Sequence, residues 1–277
     1  MNSLPIALFL LGFALAGESR AQELFISTEP ASNMPTSSYG FVLGSESFVK
    51  SSFIHTRNDL EFMYEETGSL MTHLMFHASN YYGNYGYDNF NAYAKYRIYS
   101  DDGFKQHFRV AAYAMGAFGA QRNTYAEVML DGGNSGLETG LIFTILENRF
   151  ALSSTLSAIT LVPEVNSAPG ITFQNLVNYG YTLSAGYLLY PEHYESYKDL
   201  NINIYAELLG KYIVYDKAAS GFLTEGRGTI LDLAIGPQLI INSIWRLDLA
   251  MRMRLISGVE SFPKPSILLR YTQMFYH

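Results

Sequence analysis

The sequence lacks cysteine, and it is poor in charged residues. None of its 277 residues is a cysteine, which excludes disulfide bonds, thiolate metal ligands, a thiol nucleophile and a lipid carried on cysteine. Charged residues make up 16%, whereas about 25% is usual in soluble domains. The formal net charge is −7. Because binding to phosphates needs a basic surface, we expect no nucleic-acid partner.

Long apolar runs are also absent, except near the beginning of the chain. Leu4 to Gly17 is apolar and has the length of a signal-peptide core, which is too short to span a bilayer as a helix. No Lys or Arg precedes this run. Small residues predict cleavage after Ala21, with Ala16 as an alternative site. An exported protein of this kind is either a globular protein or an outer-membrane β-barrel, because no later stretch approaches about 18 apolar residues.

What the sequence does contain is a two-residue alternation of apolar and polar side chains. The segment "IWRLDLAMRMRL" places one set of side chains on an apolar face and Arg246, Asp248, Arg252 and Arg254 on the opposite face. This period is typical of strands and not of helices. It predicts twelve strands, at residues 38–47, 58–67, 69–79, 89–100, 104–118, 136–146, 149–162, 174–190, 199–215, 228–241, 244–257 and 266–276.

The links between these predicted strands alternate in length. Short links are expected at Thr67-Gly68, "SDDG", "ENR" and "NSI", and longer polar links between them, including "GSESFVKSSFIHTR" and "DKAASGFLTEGRG". Short turns at one rim and long loops at the other are typical of outer-membrane barrels. The link "PEHYESYKDL" is an exception, because it is long where a short turn is expected. Pro237 lies within a predicted strand, where it indicates a bulge or a bend.

The polarity of the two faces favours a membrane barrel over a soluble β-sandwich. Tyrosines near strand ends are expected to form an interfacial girdle, for example Tyr81, Tyr82, Tyr187 and Tyr190. Charges of both signs lie in mid-strand and are predicted to line the lumen and set its selectivity. These residues are Lys95, Arg97, Arg109, Glu207, Asp248, Arg252, Arg254 and Arg270.

The chain resembles Gram-negative outer-membrane β-barrel proteins in its export signal, its antiparallel meander, its aromatic rims and its final strand, "SILLRYTQMFYH". The segment "LFISTEPASNMPTSSYGF" looks like the mature start of a group of small, uncharacterised barrels. The resemblance implies an all-β, closed, antiparallel up-and-down transmembrane barrel of about 12 strands in the outer membrane, with both termini in the periplasm. It also implies contact with outer-membrane lipids and the barrel-assembly machinery.

The expected organisation is a signal peptide (1–21), a periplasmic N-terminal lead (22–37) and the barrel (38–277). Whether the lead enters the lumen is left open.

One strand carries a possible metal site. In "SLMTHLMFHAS", Met71, His73, Met75 and His77 share a face that is predicted to point into the lumen. Imidazole and thioether ligands suit Cu(I), and imidazoles suit Zn(II) or Cu(II). Histidines and methionines also fill half-wet interiors without binding anything. A lumenal copper or zinc site is therefore one hypothesis, and no other cofactor is expected.

Three functions are compatible with the sequence. The preferred prediction is a channel or facilitator for small polar or charged solutes. The alternatives are a non-conducting barrel, acting as a lipid-modifying enzyme or as a structural or adhesive protein, and a lumenal copper or zinc transporter. The sequence has no G-x-S-x-G motif and no convincing catalytic constellation, so we expect no enzymatic activity. A barrel of twelve strands lies between filled eight-stranded barrels and open sixteen-stranded pores.

Overall fold

The computed structural model describes residues 25–119, 125–162, 171–172, 177–193, 196, 198–219 and 222–276. The predicted signal peptide (1–21) lies outside the described residues. The part of the chain that is described contains no helix long and apolar enough to cross a membrane.

Twelve long strands form one antiparallel sheet that closes on itself. The strand β13 pairs with β1 from Tyr39↔Phe275 to Phe48↔Ser266. Closure leaves no unpaired sheet edge, as a hydrocarbon environment requires. A short additional strand, β8, pairs with the far end of β10. The strands are β1 (Tyr39–Lys50), β2 (Phe53–Glu65), β3 (Leu70–Ser79), β4 (Gly86–Gly103), β5 (Gln106–Gly119), β6 (Gly136–Glu147), β7 (Phe150–Leu161), β8 (Ile171–Thr172), β9 (Val177–Tyr190), β10 (Asn201–Ala219), β11 (Phe222–Ile241), β12 (Trp245–Ser257) and β13 (Ser266–Phe275). The predicted closed barrel of about twelve strands is confirmed.

Two of the predicted long loops are wrong, because strands occupy most of their residues. The strands β1 and β2 pair up to Lys50↔Phe53, and only Ser51 and Ser52 turn the chain, with φ of 50° and 69°. Likewise β10 and β11 pair up to Ala219↔Phe222. The predicted turn "SDDG" belongs to β4, and the turn itself follows at residues 104–105. These hairpins continue their strand pairing past the predicted strand ends.

The strand β11 keeps its register through Pro237. Pro237 lies opposite Ile204 on β10, and on the other side the pairs Ile235↔Met251 and Gln238↔Asp248 keep one offset. The register shift of this strand lies instead between Leu231 and Asp232. The predicted alternative of a bulge at Pro237 is therefore wrong, and the alternative of a bend stays a prediction.

The barrel is apolar outside and polar inside. Outward-facing side chains such as Phe62, Leu74 and Leu249 are 47–48% exposed, whereas Glu207 and Asp232 are 0% exposed within the lumen. This polarity is the reverse of a soluble barrel. Tyr187 and Tyr190 lie on the outer surface, as predicted. The same prediction for Tyr81 and Tyr82 is wrong, because these rings turn inward and pack against Phe262.

Candidate functional site

Residues 25–37 are the described part of the predicted N-terminal lead (22–37), and we call them the lead from here on. They lie inside the barrel near the rim where β1 begins and β13 ends. Phe25 and Ile26 pack against wall side chains that include Leu146 and Tyr205. Ala31 N donates a hydrogen bond to Thr144 Oγ1 (2.8 Å). The lead therefore crosses the lumen instead of lying outside it, which answers the question that the sequence left open.

Lys95 on β4 is the main polar anchor of the lead. Its side chain is fully buried, and Nζ donates to Glu29 Oε2 (3.0 Å), Pro30 O (2.7 Å) and Ser32 O (2.9 Å). Burial raises the pKa of Glu29, but the positive charges of Lys95, the largest of the opposing causes, and of Arg270 help to hold the pKa below its ordinary value. The Glu29 carboxylate is thus stabilised in its charged form.

Three further wall residues from the predicted lumen set also hold the lead. Glu207 accepts hydrogen bonds from Ser27 N (2.9 Å) and Thr28 Oγ1 (3.1 Å). Arg270 donates to Ile26 O (2.7 Å) and to Phe25 O. Arg109 Nη1 donates to Ser32 Oγ (2.9 Å), while its other donors bind Asp102. Wall residues that were predicted to contact a solute therefore contact the lead in this structure.

A second segment enters the lumen from the opposite end. Residues 125–135 of the β5–β6 link, which we call the inner loop, fold inward, and Ala126, Val128 and Leu130 are at most 4% exposed. They pack against wall residues that include Ile159, Ile213 and Ile230. Apolar packing therefore holds much of the inner loop, whereas the lead combines apolar packing with many direct hydrogen bonds to wall side chains.

Charged groups complete the attachment of the inner loop. Glu127 accepts from Arg254 Nη2 (3.2 Å) and from Phe262 N (2.9 Å). Asp131 Oδ2 lies 2.9 Å from Arg57 Nη1. Burial raises the pKa of Asp131, but Arg57, Lys211, His77 and Arg252 outweigh it, so the pKa lies below its ordinary value. Both inserted segments are thus anchored by carboxylates that remain charged.

Between the lead and the inner loop lies a cavity of about 380 Å³, which we call the chamber. Small-molecule sites generally have volumes of about 300–1,000 Å³, so the chamber has room for a small solute. Its floor includes Thr28 and Glu29, its roof includes Glu127 and Asp131, and its wall is contributed by barrel strands. The lining carries charges of both signs.

The remaining predicted lumen charges form compact ion-pair networks. Asp232, which the sequence analysis did not single out, accepts from Arg252 Nε (2.9 Å) and from Arg254 Nε. Asp248 accepts from Arg246 Nε (2.9 Å) and Arg270 Nε (3.1 Å). Arg97 is half-buried on β4, and its charge acts on Glu65. The networks brace the wall, and their assignment to solute selectivity remains a prediction.

The histidines of β3 point into the chamber, and each contacts a carboxylate of β2. Nδ1 of His73 lies 2.5 Å from Glu61 Oε1, and Nδ1 of His77 lies 2.6 Å from Asp59 Oδ1. Met71 instead packs with Met34, Met63 and other apolar residues, while Met75 lines the chamber. The described residues contain no group of three or more His, Asp or Glu side chains that could hold an ion. Metal binding stays a prediction.

Neither inserted segment was predicted from the sequence to be part of the site. The inner loop had a usable signal, since "AEVML" is an apolar run within a link that would otherwise face water. The lead had little signal, because its partners Lys95, Arg109, Glu207 and Arg270 come from distant strands.

Comparison with known proteins identifies the fold. No family model matches the chain, and no curated protein matches it. The crystal structure of the COG4313 outer membrane channel from Pseudomonas putida F1 has a TM-score of 0.64 and 16% identity, covering 91% of this chain and 100% of that one. In-vitro folded OmpT, an outer membrane protein of Vibrio cholerae, has a TM-score of 0.36 and 10% identity, covering 89% of this chain and 99% of that one; this similarity is too low to support an argument. The chain thus has the fold of bacterial outer-membrane β-barrel proteins, as its sequence predicted.

Proposed function

We propose that this protein is an outer-membrane channel for small polar or charged solutes, and that its resting state is closed. The observation that carries the proposal is the chamber of about 380 Å³ with charges of both signs, which lies between two inserted segments. A barrel with a purely structural role has no need for a polar chamber of solute size. The similarity in fold to a channel agrees with this proposal.

The lead is the better candidate for the gate. It is joined to the barrel at only one described end. Beside the apolar contacts of Phe25, Ile26 and Met34, it is held by many hydrogen bonds and ion pairs that water can replace. The inner loop is joined at both ends and packs through an apolar cluster. We therefore assign the inner loop to a fixed constriction and the lead to a movable plug.

Deleting residues 25–34 tests this function. We expect the refolded full-length mature chain to give rare, small conductance steps in a planar bilayer, and the deletion variant to give frequent, larger ones. Heat-dependent gel mobility checks that both chains fold. A silent bilayer with both folded chains would contradict the channel and favour a non-conducting barrel. The expected absence of enzymatic activity and the assignment to the outer membrane by an export signal remain predictions.

A further inference from the structure

Three aromatic rings from neighbouring strands form one side of the chamber. His73 on β3 lies directly opposite Tyr93 on β4, with ring centroids 4.8 Å apart. Tyr113 on β5 follows, with its centroid 5.3 Å from that of Tyr93. All three residues line the chamber. The faces of aromatic rings carry partial negative charge and attract cations.

Carboxylates flank this group of rings at both ends. Glu61 Oε1 lies 2.5 Å from His73 Nδ1, and Glu138 Oε1 accepts a hydrogen bond from Tyr113 OH (2.6 Å). The cations nearby are already engaged, Lys95 with Glu29 and Arg270 with Asp248. Among the described residues, Glu138 has a neutral phenol as its partner and no cationic side chain. Its negative charge is therefore available to a solute.

Gly140 allows Tyr113 to take this position. The two residues are opposite each other on β5 and β6, and a Cβ at position 140 would lie 2.6 Å from Tyr113 Cε1. Such a contact is too short for any side chain. A residue other than glycine would push the ring away from Glu138, so the arrangement depends on the absence of a side chain here.

Two buried polar atoms in this group have no hydrogen-bond partner among the residues that the structure describes. They are His73 Nε2 and Tyr93 OH, on side chains that are 2% and 8% exposed. Buried polar atoms are nearly always hydrogen-bonded, so an orphan points to a missing ligand or water. When His73 Nδ1 donates its proton to Glu61, Nε2 presents a lone pair. Both orphan atoms can then accept a hydrogen bond from an N–H donor.

We propose that His73, Tyr93, Tyr113, Glu61 and Glu138 form an ammonium cage, which binds the primary ammonium group of a small organic cation. The rings and carboxylates recognise the positive charge, and the orphan atoms accept N–H hydrogen bonds. The chamber volume of about 380 Å³ is sufficient for a small organic amine. The inference rests on the proposed function only for how the solute reaches the chamber.

Isothermal titration calorimetry of the full mature chain in detergent tests the cage directly. The probes are tert-butylammonium chloride, its neutral isostere tert-butanol, and tetramethylammonium chloride, which has no N–H donor. At about pH 8 we expect tert-butylammonium to bind at least about tenfold more tightly than either of the others. Equal affinity for tert-butylammonium and tert-butanol, or no detectable binding of tert-butylammonium, would overturn the proposal.

Substitutions then locate the site. We expect Glu138→Gln to weaken tert-butylammonium binding about tenfold and Tyr113→Leu about threefold to tenfold. Glu147→Gln, an exposed carboxylate on the same strand, should leave binding unchanged. Glu138→Gln preserves shape and volume, so it remains informative if Tyr113→Leu fails to fold. Binding that neither substitution affects would place the site elsewhere and refute the cage. A folded native chain that binds tert-butylammonium but does not conduct would contradict the proposed channel and not the cage.

Discussion

Lys95 Nζ lies 3.0 Å from Glu29 Oε2, so that a wall strand and the N-terminal lead are joined inside the lumen. The lysine is fully buried, and two of its donors bind backbone carbonyls of the lead. An ammonium group has three donors, so Lys95 has none left for a passing solute. In the proposed channel, Lys95 therefore has the role of holding the closed state.

Replacing this lysine should release the lead. We expect Lys95→Met, which keeps most of the volume, to weaken docking of the lead by about 2–4 kcal/mol, because three hydrogen bonds from a charged group are lost. The open probability in planar bilayers should rise by more than tenfold. Lys105→Met is the matched control, since Lys105 is exposed at the β4–β5 turn. Unchanged gating in Lys95→Met would show that the lead is not the gate.

Acid should open the channel. The pKa of Glu29 lies below its ordinary value of 4.5, so the charged carboxylate stabilises docking above that pH, and this stabilisation is lost as pH falls through the lowered pKa. Asp131 acts with the same sign on the inner loop. Groups that face Glu29 are Lys95, His73, Arg270, Arg246 and Tyr93. Those that face Asp131 are Arg57, Lys211, His77 and Arg252.

The measurement is open probability as a function of pH. It should rise in acid, as the pH falls through the lowered pKa of Glu29. Glu29→Gln should already be more open at neutral pH, with a weaker acid response. An increase in open probability on moving to alkaline pH, with none in acid, would contradict the role of these carboxylates.

The inner loop should set the width of the open pore. Glu127 is 3% exposed and accepts hydrogen bonds from Arg254 and from Phe262 N. We expect Glu127→Ala to lower the free energy of unfolding by about 3–5 kcal/mol, since a buried charge loses its partner, and to enlarge the single-channel step. Glu225→Ala removes an exposed ion pair with Arg227 and should change neither by much. An unaltered step size in a folded Glu127→Ala variant would argue against a constriction here.

The twelve strands were predictable because the alternation of apolar and polar side chains can be read from each strand's own sequence. Contact of one face with lipid makes this alternation pronounced. The hairpin at Ser51 and Ser52 was missed because tight turns with positive φ usually contain Asn or Gly, and serine gives no such signal. The eight charged residues predicted to line the lumen were chosen by strand parity alone. Their partners were not, because Asp232, Glu127 and Glu29 meet them only through tertiary structure.

The metal hypothesis makes a separate prediction. Residues four apart on a strand are separated by about 13 Å, so His73 and His77 would each need other ligands, such as Met75, to hold an ion. The hypothesis predicts that His73→Ala with His77→Ala abolishes copper and zinc binding in a titration. Identical titrations of the double variant and the native chain would refute it.

The most direct test of the account is to lock the lead with a disulfide. Thr28 Oγ1 and Ser184 Oγ lie 2.8 Å apart, and the native chain has no cysteine, so a Thr28→Cys, Ser184→Cys double variant can form a single, unambiguous bond. We predict that its single-channel openings disappear under oxidising conditions and return with reductant. In each single variant, the openings should be unchanged by oxidant or reductant. Openings that persist in the fully oxidised double variant would contradict the claim that the lead closes this channel.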